Sequence, residues 1–333
     1  MDSSTTTGRD GDDAQIVFGS GRFRYRLVND WARLPAGWTL DDVASVAVDD
    51  RDRVYVFTRG EHPVIVFDRD GTLLDHWGEG VFDRPHAIHA APDGLLYCVD
   101  DGDHTVRTCT QGGAVLATLG TPGAPKPFMS GEPFCRCTDV ALSPSGEIFV
   151  SDGYGNARVH KFAPDGTLLR SWGAPGNDPG EFNFPHNICC DDDGWVYVAD
   201  RENHRIQIFD GNGRFETQWV NMHRVSALEQ ERGPERNFYL GEIGPHLRAN
   251  RDFPNCGPRV TIMSPQGTVL ARLGDLPAGD APDRFISPHG IAIDSRGDIY
   301  VGEVSYTSWP GAFREPAPAR LRTLRKLVRV NES

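Results

Sequence analysis

Residues 185–220 read PHNICCDDDGWVYVADRENHRIQIFDGNGRFETQWV. Short runs rich in β-branched and aromatic residues, such as Trp195–Val198, are split by the turn dipeptides Asp193-Gly194 and Asn212-Gly213. Glycine there supplies the positive φ of tight hairpin turns, so the stretch reads as a small antiparallel sheet. The same pattern recurs at 85–120 (PHAIHAAPDGLLYCVDDGDHTVRTCTQGGAVLATLG) and at 138–173 (TDVALSPSGEIFVSDGYGNARVHKFAPDGTLLRSWG). Further copies lie between Val43 and Gly78, from near Met222 to Gly274 with an insertion around Gly244–Gly257, and from Pro288 onward. Period-2 alternation and the density of turns exclude a helical solenoid. A unit of roughly 40–50 residues cannot bury both faces of its sheet alone, whereas units stacked radially can. The fold class is therefore all-β, a six-bladed β-propeller over residues 15–333. Its sixth blade ends near Arg322–Val330 and takes its outermost strand from Gln15–Val28, which closes the ring. Residues 1–14 read as a disordered tail.

The chain has 333 residues, with 34 Lys+Arg against 47 Asp+Glu and a net charge of −13. That balance repels phosphate backbones, so nucleic acid is not an expected partner. No apolar stretch approaches the ~18–20 residues of a membrane helix, and no membrane partner is expected. Met1–Asp13 is polar and lacks an apolar signal core, so the protein is expected to be cytoplasmic. Seven cysteines are an odd number for a disulfide framework. They read as reduced thiols, although Cys98 and Cys109 fall on neighbouring strands of one hairpin and could pair if oxidised. The basic run Arg320–Arg329 reads as a solvated strand edge rather than a nucleic-acid patch, since like charges at an edge deter pairing.

Pro-His-x-Ile or its close equivalent occurs at His86, His186 and His289, with spacings of 100 and 103 residues, two units each. Aligned units put these residues at the start of the innermost strand, which lines the central channel. Alternate blades of a six-bladed ring are about 120° apart, so the three histidines converge on the axis. The matching positions of two other blades are Ala44 and Thr138. Three imidazolium charges would repel, whereas three neutral imidazoles present lone pairs to one point, which suits a divalent metal. A His₃ set leaves a fourth zinc position open, as in catalytic sites. The competing explanation is that Pro-His is a repeat signature whose imidazole bonds to the blade. His223 would be a fourth channel histidine or an ordinary core residue.

The second strand of each blade delivers polar residues to one mouth of the channel. Asp100, Asp152 and Asp200 form a column whose expected work is structural, accepting hydrogen bonds from turn amides. Arg59, Asp101, Tyr154, Arg201 and Glu303 follow at the mouth. Arg59, Tyr154 and Arg201 differ in type from blade to blade, as residues that do chemistry are free to.

The repeats resemble NHL repeats, through Pro-His-x-Ile, Asp-Gly, Tyr-Val-x-Asp, Asn-x-Arg-Ile and Phe, most fully at Pro185–Phe209. Arg59-Gly60-Glu61-His62, Arg84-Pro85-His86, Val150 to Asn156, Phe184-Pro185-His186, Ala199 to Asn203 and Pro288-His289 resemble, in order, the peptidyl-α-hydroxyglycine α-amidating lyases. The resemblance implies a propeller whose zinc, or another divalent transition metal, is held by His86, His186 and His289. It further implies a catalytic tyrosine at Tyr154 and active-site arginines at Arg59 and Arg201. The implied reaction cleaves the C–N bond of a carbinolamide to an amide and glyoxylate, with a small-molecule or peptide-like substrate. The family's calcium uses carbonyls matching Val46 and Ile88 and an aspartate directly after the third histidine. That position is Gly290, which calls Ca²⁺ into doubt. The fifth-blade insertion and Glu303–Trp309 also depart from the family pattern. Another His₃-metal hydrolase or lyase and a non-catalytic propeller docking a protein partner remain the alternatives.

Overall fold

Each blade starts from a strand covered on both faces. Val43–Val48, sequence VASVAV, is buried throughout, whereas the outermost strands Leu73–Trp77 and Val115–Leu119 are largely exposed. Stacking sheet on sheet around an axis produces this gradient, because only the outer edge of each sheet escapes its neighbours. The structure is a computed structural model. It describes residues 16–330 apart from 246, 252, 254, 255 and 275, so the tail expected at 1–14 lies outside the described residues.

Six antiparallel sheets form the ring, five of four strands and one of five. Six apolar clusters fill the spaces between neighbouring blades. One of them packs Ala292 and Tyr300 of the sixth blade against Val43, Val46 and Val56 of the first, so the circle is closed by hydrophobic burial. Closure within the last sheet is by hydrogen bonds. Tyr25–Val28 pairs antiparallel with Leu324–Arg329, from Tyr25 opposite Arg329 to Val28 opposite Lys326, and Val17–Phe18 adds a further short strand outside it. This is the N-terminal closure expected from the sequence.

Because those N-terminal strands lie outside it, Leu324–Arg329 is an interior strand, and the basic run is not the solvated edge expected of it. Arg325 is fully buried with its Nε 2.6 Å from Glu303 Oε1. Lys326 is buried with its ammonium 5.1 Å from the Tyr300 ring centre and 3.5 Å from Asp298. All seven cysteines are free thiols, and Cys98 and Cys109 sit in one apolar cluster, where burial pushes the Cys98 thiol well up. Among the described residues, no helix is long and apolar enough to cross a membrane. Ser305–Ala312 forms a short helix between the second and third strands of the sixth blade.

Candidate metal centre at the channel mouth

Each channel histidine sits on a local fault in its sheet. In the second blade Pro85 faces Asp100 and Ala87 faces Val99, leaving His86 without a partner; the same shift skips His186 and His289. An unpaired extra residue of this kind bends the strand and re-aims its side chain. The first and fifth blades carry the same fault at Ala44 and Ser226. The fault thus recurs in five of the six blades, the third pairing without a shift, and residue type decides what it presents to the axis. Ser226 therefore holds the fifth-blade position considered for His223. His223 lies in the preceding loop, with Nδ1 3.1 Å from the Ile243 carbonyl and its ring 4.8 Å from that of His204.

The three rings meet on the axis, with centroids 5.0, 4.9 and 4.8 Å apart. Each Nδ1 is turned outward onto an acceptor: the Thr138 carbonyl at 2.5 Å for His86, Asn187 Oδ1 at 2.6 Å for His186 and the Ala44 carbonyl at 2.7 Å for His289. An acceptor facing Nδ1 requires the proton there and leaves the Nε2 lone pair free, the tautomer a metal needs. Asn187 is oriented in turn by Asp139, whose Oδ2 accepts from Asn187 Nδ2 at 2.9 Å and from Ile188 N at 3.1 Å. Burial, reinforced by neighbouring imidazoles and arginines, lowers all three histidines, His289 to about 3. They are neutral at pH 7, and all three candidate ligand atoms lie within 4.8 Å of one another. The donor set fits a divalent transition metal.

Tyr154 is brought into this cluster, its hydroxyl 3.0 Å from Nε2 of both His86 and His186. It gets there because Gly153 lets the chain pass against the fourth blade: a Cβ on Gly153 would lie 1.9 Å from the Pro185 carbonyl oxygen. The guanidinium carbons of Arg136 and Arg201 lie 4.8 and 5.6 Å from the Tyr154 ring centre. Arg201 bonds Glu202 at 2.8 Å, and Arg224 grips the same carboxylate at 2.9 Å. Burial opposes that charge, yet the Arg224 hydrogen bonds and the Arg201 charge hold Glu202 down to about 2. Arg59 donates to the Pro85 carbonyl at 3.3 Å and to Thr307 at 3.2 Å, with Asp42 3.5 Å away. Asp42 also receives the Tyr306 and Thr307 amides at the start of the short helix. The departure noted at Glu303–Trp309 thus reaches the site by holding Arg59.

One further feature was open to sequence reasoning and missed. The residues two before the channel position are Asp42, Arg84, Arg136, Phe184, Arg224 and Ser287, so arginines recur in a column of their own. Arg84 and Arg136 converge on Asp101 at 2.6 and 2.5 Å. The mouth therefore carries five guanidinium groups against the carboxylates of Asp42, Asp101 and Glu202, in a protein of net charge −13.

The carboxylate column is structural, and it acts on the histidines. Asp100 accepts from the Asp83 and Arg84 amides, Asp200 from the Asn183 amide, and Glu303 from the Ile286 and Ser287 amides. Each thereby fixes the loop that leads into a histidine. Glu303 belongs to this column, opposite Pro288 in register, and not to the mouth set in which the sequence reading placed it. With Glu303 and Arg325 both fully buried, Glu303→Ala leaves a buried cation unpaired. It should cost about 3–5 kcal/mol in denaturant unfolding, more than Glu303→Gln. At Gly290, a Cβ would stand 2.5 Å from Ser45 Cα, so an aspartate does not fit there without backbone movement.

The NHL-repeat family model matches residues 134–162 and 182–209. NHL repeat-containing protein 3 of Homo sapiens is 34% identical over 294 residues, covering 84% of this chain and 81% of that protein. The chain belongs to the NHL-repeat propellers. Peptidyl-alpha-hydroxyglycine alpha-amidating lyase 1 of Drosophila melanogaster is 34% identical over 268 residues, 71% of this chain and 45% of that one. Peptidyl-glycine alpha-amidating monooxygenase B of Xenopus laevis is 29% identical over 325 residues, 85% of this NHL propeller but 35% of the frog protein. The chain thus spans about a third of the amidating monooxygenase and under half of the fly lyase. Among solved structures, a streptogramin B lyase superposes with a TM-score of 0.56 at 13% identity, covering 87% of this chain and 95% of that one. At that identity the likeness speaks for the fold alone.

Proposed function

We propose that this NHL propeller is a metal-dependent lyase that cleaves the C–N bond of an α-hydroxyglycine-type carbinolamide, releasing an amide and glyoxylate. The observation that carries the reading is the meeting of three neutral imidazoles with a tyrosine hydroxyl, beneath a mouth rich in guanidinium groups. A hydroxyglycine end is small and anionic, and it matches that mouth. Arg59 and Arg201 would hold its carboxylate through forked hydrogen bonds, which fix the carbinol carbon over the channel. His86, His186 and His289 would hold a zinc-class ion, which when bound supplies Lewis-acid polarisation of substrate oxygen. Tyr154 would act as its phenolate, beside the Arg136 and Arg201 guanidinium groups, and its Oη would take the hydroxyl proton as the C–O bond becomes a carbonyl and the C–N bond breaks. The departing nitrogen then receives a proton, so none is gained or lost overall. Homology to amidating lyases supports the same chemistry.

The test is incubation of purified protein with an N-acyl-α-hydroxyglycine and measurement of glyoxylate. Metal-dependent release at a rate well above the spontaneous one is expected. Metal-loaded protein that releases none, across acyl groups from benzoyl to a short peptide, would overturn the substrate assignment.

A further inference from the structure

The first blade carries a second group of ligating side chains, on its outer edge. His62 lies in the turn between Val54–Thr58 and Val64–Phe67, His76 lies on the outermost strand Leu73–Trp77, and Glu79 follows that strand by two residues. Pairing of Ile65 with His76 and of Val64 with Trp77 brings the turn over the end of the outer strand. Nδ1 of His62 and Nδ1 of His76 stand 2.8 and 2.9 Å from one oxygen, Glu79 Oε1. The three candidate ligand atoms fall within 4.8 Å of one another.

The group is held in place from behind. The Trp38 indole lies flat against the His62 ring, with centroids 3.6 Å apart and planes 27° from parallel, and meets His76 edge-on at 4.9 Å. Glu79 stands between Gly78 and Gly80, at φ of 101° and 73°, a left-handed turn that brings the carboxylate back over the strand end. A side chain on Gly78 would meet Phe82 at 2.9 Å, so the turn is closely packed.

We propose that His62, His76 and Glu79 form a second metal site, for a zinc- or copper-class divalent ion, separate from the channel. Two imidazole nitrogens and a carboxylate oxygen are the donors such ions prefer, and they do not suit calcium or magnesium. In the metal-free state both Nδ1–H groups donate to the one carboxylate. On binding, each ring carries its proton on Nε2 and the ion takes the place of the two shared protons between the three ligand atoms. Side-chain exposures of 16% for His62, 42% for His76 and 43% for Glu79 leave room for water to complete the coordination shell. An exposed ion pair contributes only ~0–1 kcal/mol and does not require two imidazoles on one oxygen or an indole platform behind them. None of these residues belongs to the channel site, so this inference stands or falls apart from the lyase reading.

The experiment is a Cu²⁺ titration followed by tryptophan fluorescence, since Trp38 touches both rings. It is run on His86→Ala, which removes a channel ligand, and on His86→Ala/His76→Ala. Saturable quenching is expected in the first, with a midpoint shifted at least about tenfold higher in the second, because losing a ligand should cost no less than losing a residue that orients one. Trp38→Phe should remove most of the quenching while calorimetry still reports Cu²⁺ binding. If His86→Ala does not fold, the wild-type chain and His76→Ala give the same comparison. Quenching that does not saturate, or curves unchanged by His76→Ala, would overturn the proposal.

Discussion

His186→Ala is expected to lose the channel metal and at least about a thousandfold in glyoxylate-forming turnover, with the fold intact. Alanine is already native at this position of the repeat: Ala44 occupies the same strand fault in the first blade. The backbone therefore tolerates the small side chain, and circular dichroism and the melting temperature, compared between the metal-free forms, should move little. What disappears is one of three lone pairs. Two imidazoles grip an ion far less tightly than three, and the remaining pair would no longer enclose it. Asn187 and Asp139, which orient His186 through hydrogen bonds of 2.6 and 2.9 Å, keep each other as partners in the variant. Elemental analysis and turnover measured on one preparation check this. A variant with full metal and full turnover contradicts the assignment of His186, and loss of fold without prior loss of metal would make the residue structural.

Tyr154→Phe should retain the channel metal and lose about 10²–10⁴-fold in kcat, the range for removing a general acid–base group. The substitution is narrow. The ring stays in place, 6.0 Å from Phe184 and 4.8 Å from the Arg136 guanidinium carbon. Only the oxygen between His86 and His186 is removed. If the hydroxyl moves a proton in the transition state, kcat and kcat/KM fall together; if it only helps bind substrate, KM rises and kcat is unchanged. A Phe variant with wild-type kcat would take the tyrosine out of the reaction.

The ring could be read from the sequence because turn dipeptides and strand runs repeat locally, and local signals survive in one dimension. Pro-His at 85–86, 185–186 and 288–289 gave the three-fold convergence, since equal places in a repeat become equal places around an axis. What fixes the proton on each ring was not legible. The acceptors for His86 and His289 are backbone carbonyls of Thr138 and Ala44 in the next blade, so no residue type announces them. His223 misled because Met222-His223 resembles a strand start, whereas the strand begins at Val225 and its axis-facing residue is Ser226. The run at 320–329 misled for a related reason: charge suggests an edge, but the N-terminal strands cover it and Glu303 neutralises Arg325. The arginines at 84, 136 and 224 were visible and unread, because they hold the position two before the channel residue in only three of the six blades, too few to stand out as a repeat signature. His62 belongs to the motif Arg59-Gly60-Glu61-His62, but its partner His76 is fourteen residues on and meets it only through the register of the outer strands.

The most direct measurement of the central claim is anomalous diffraction at a metal absorption edge, on crystals of the metal-loaded protein. A peak on the channel axis, shared by Nε2 of His86, His186 and His289, is the result this account requires. A channel without a peak, its three rings bonded only to one another and to Tyr154, would contradict it.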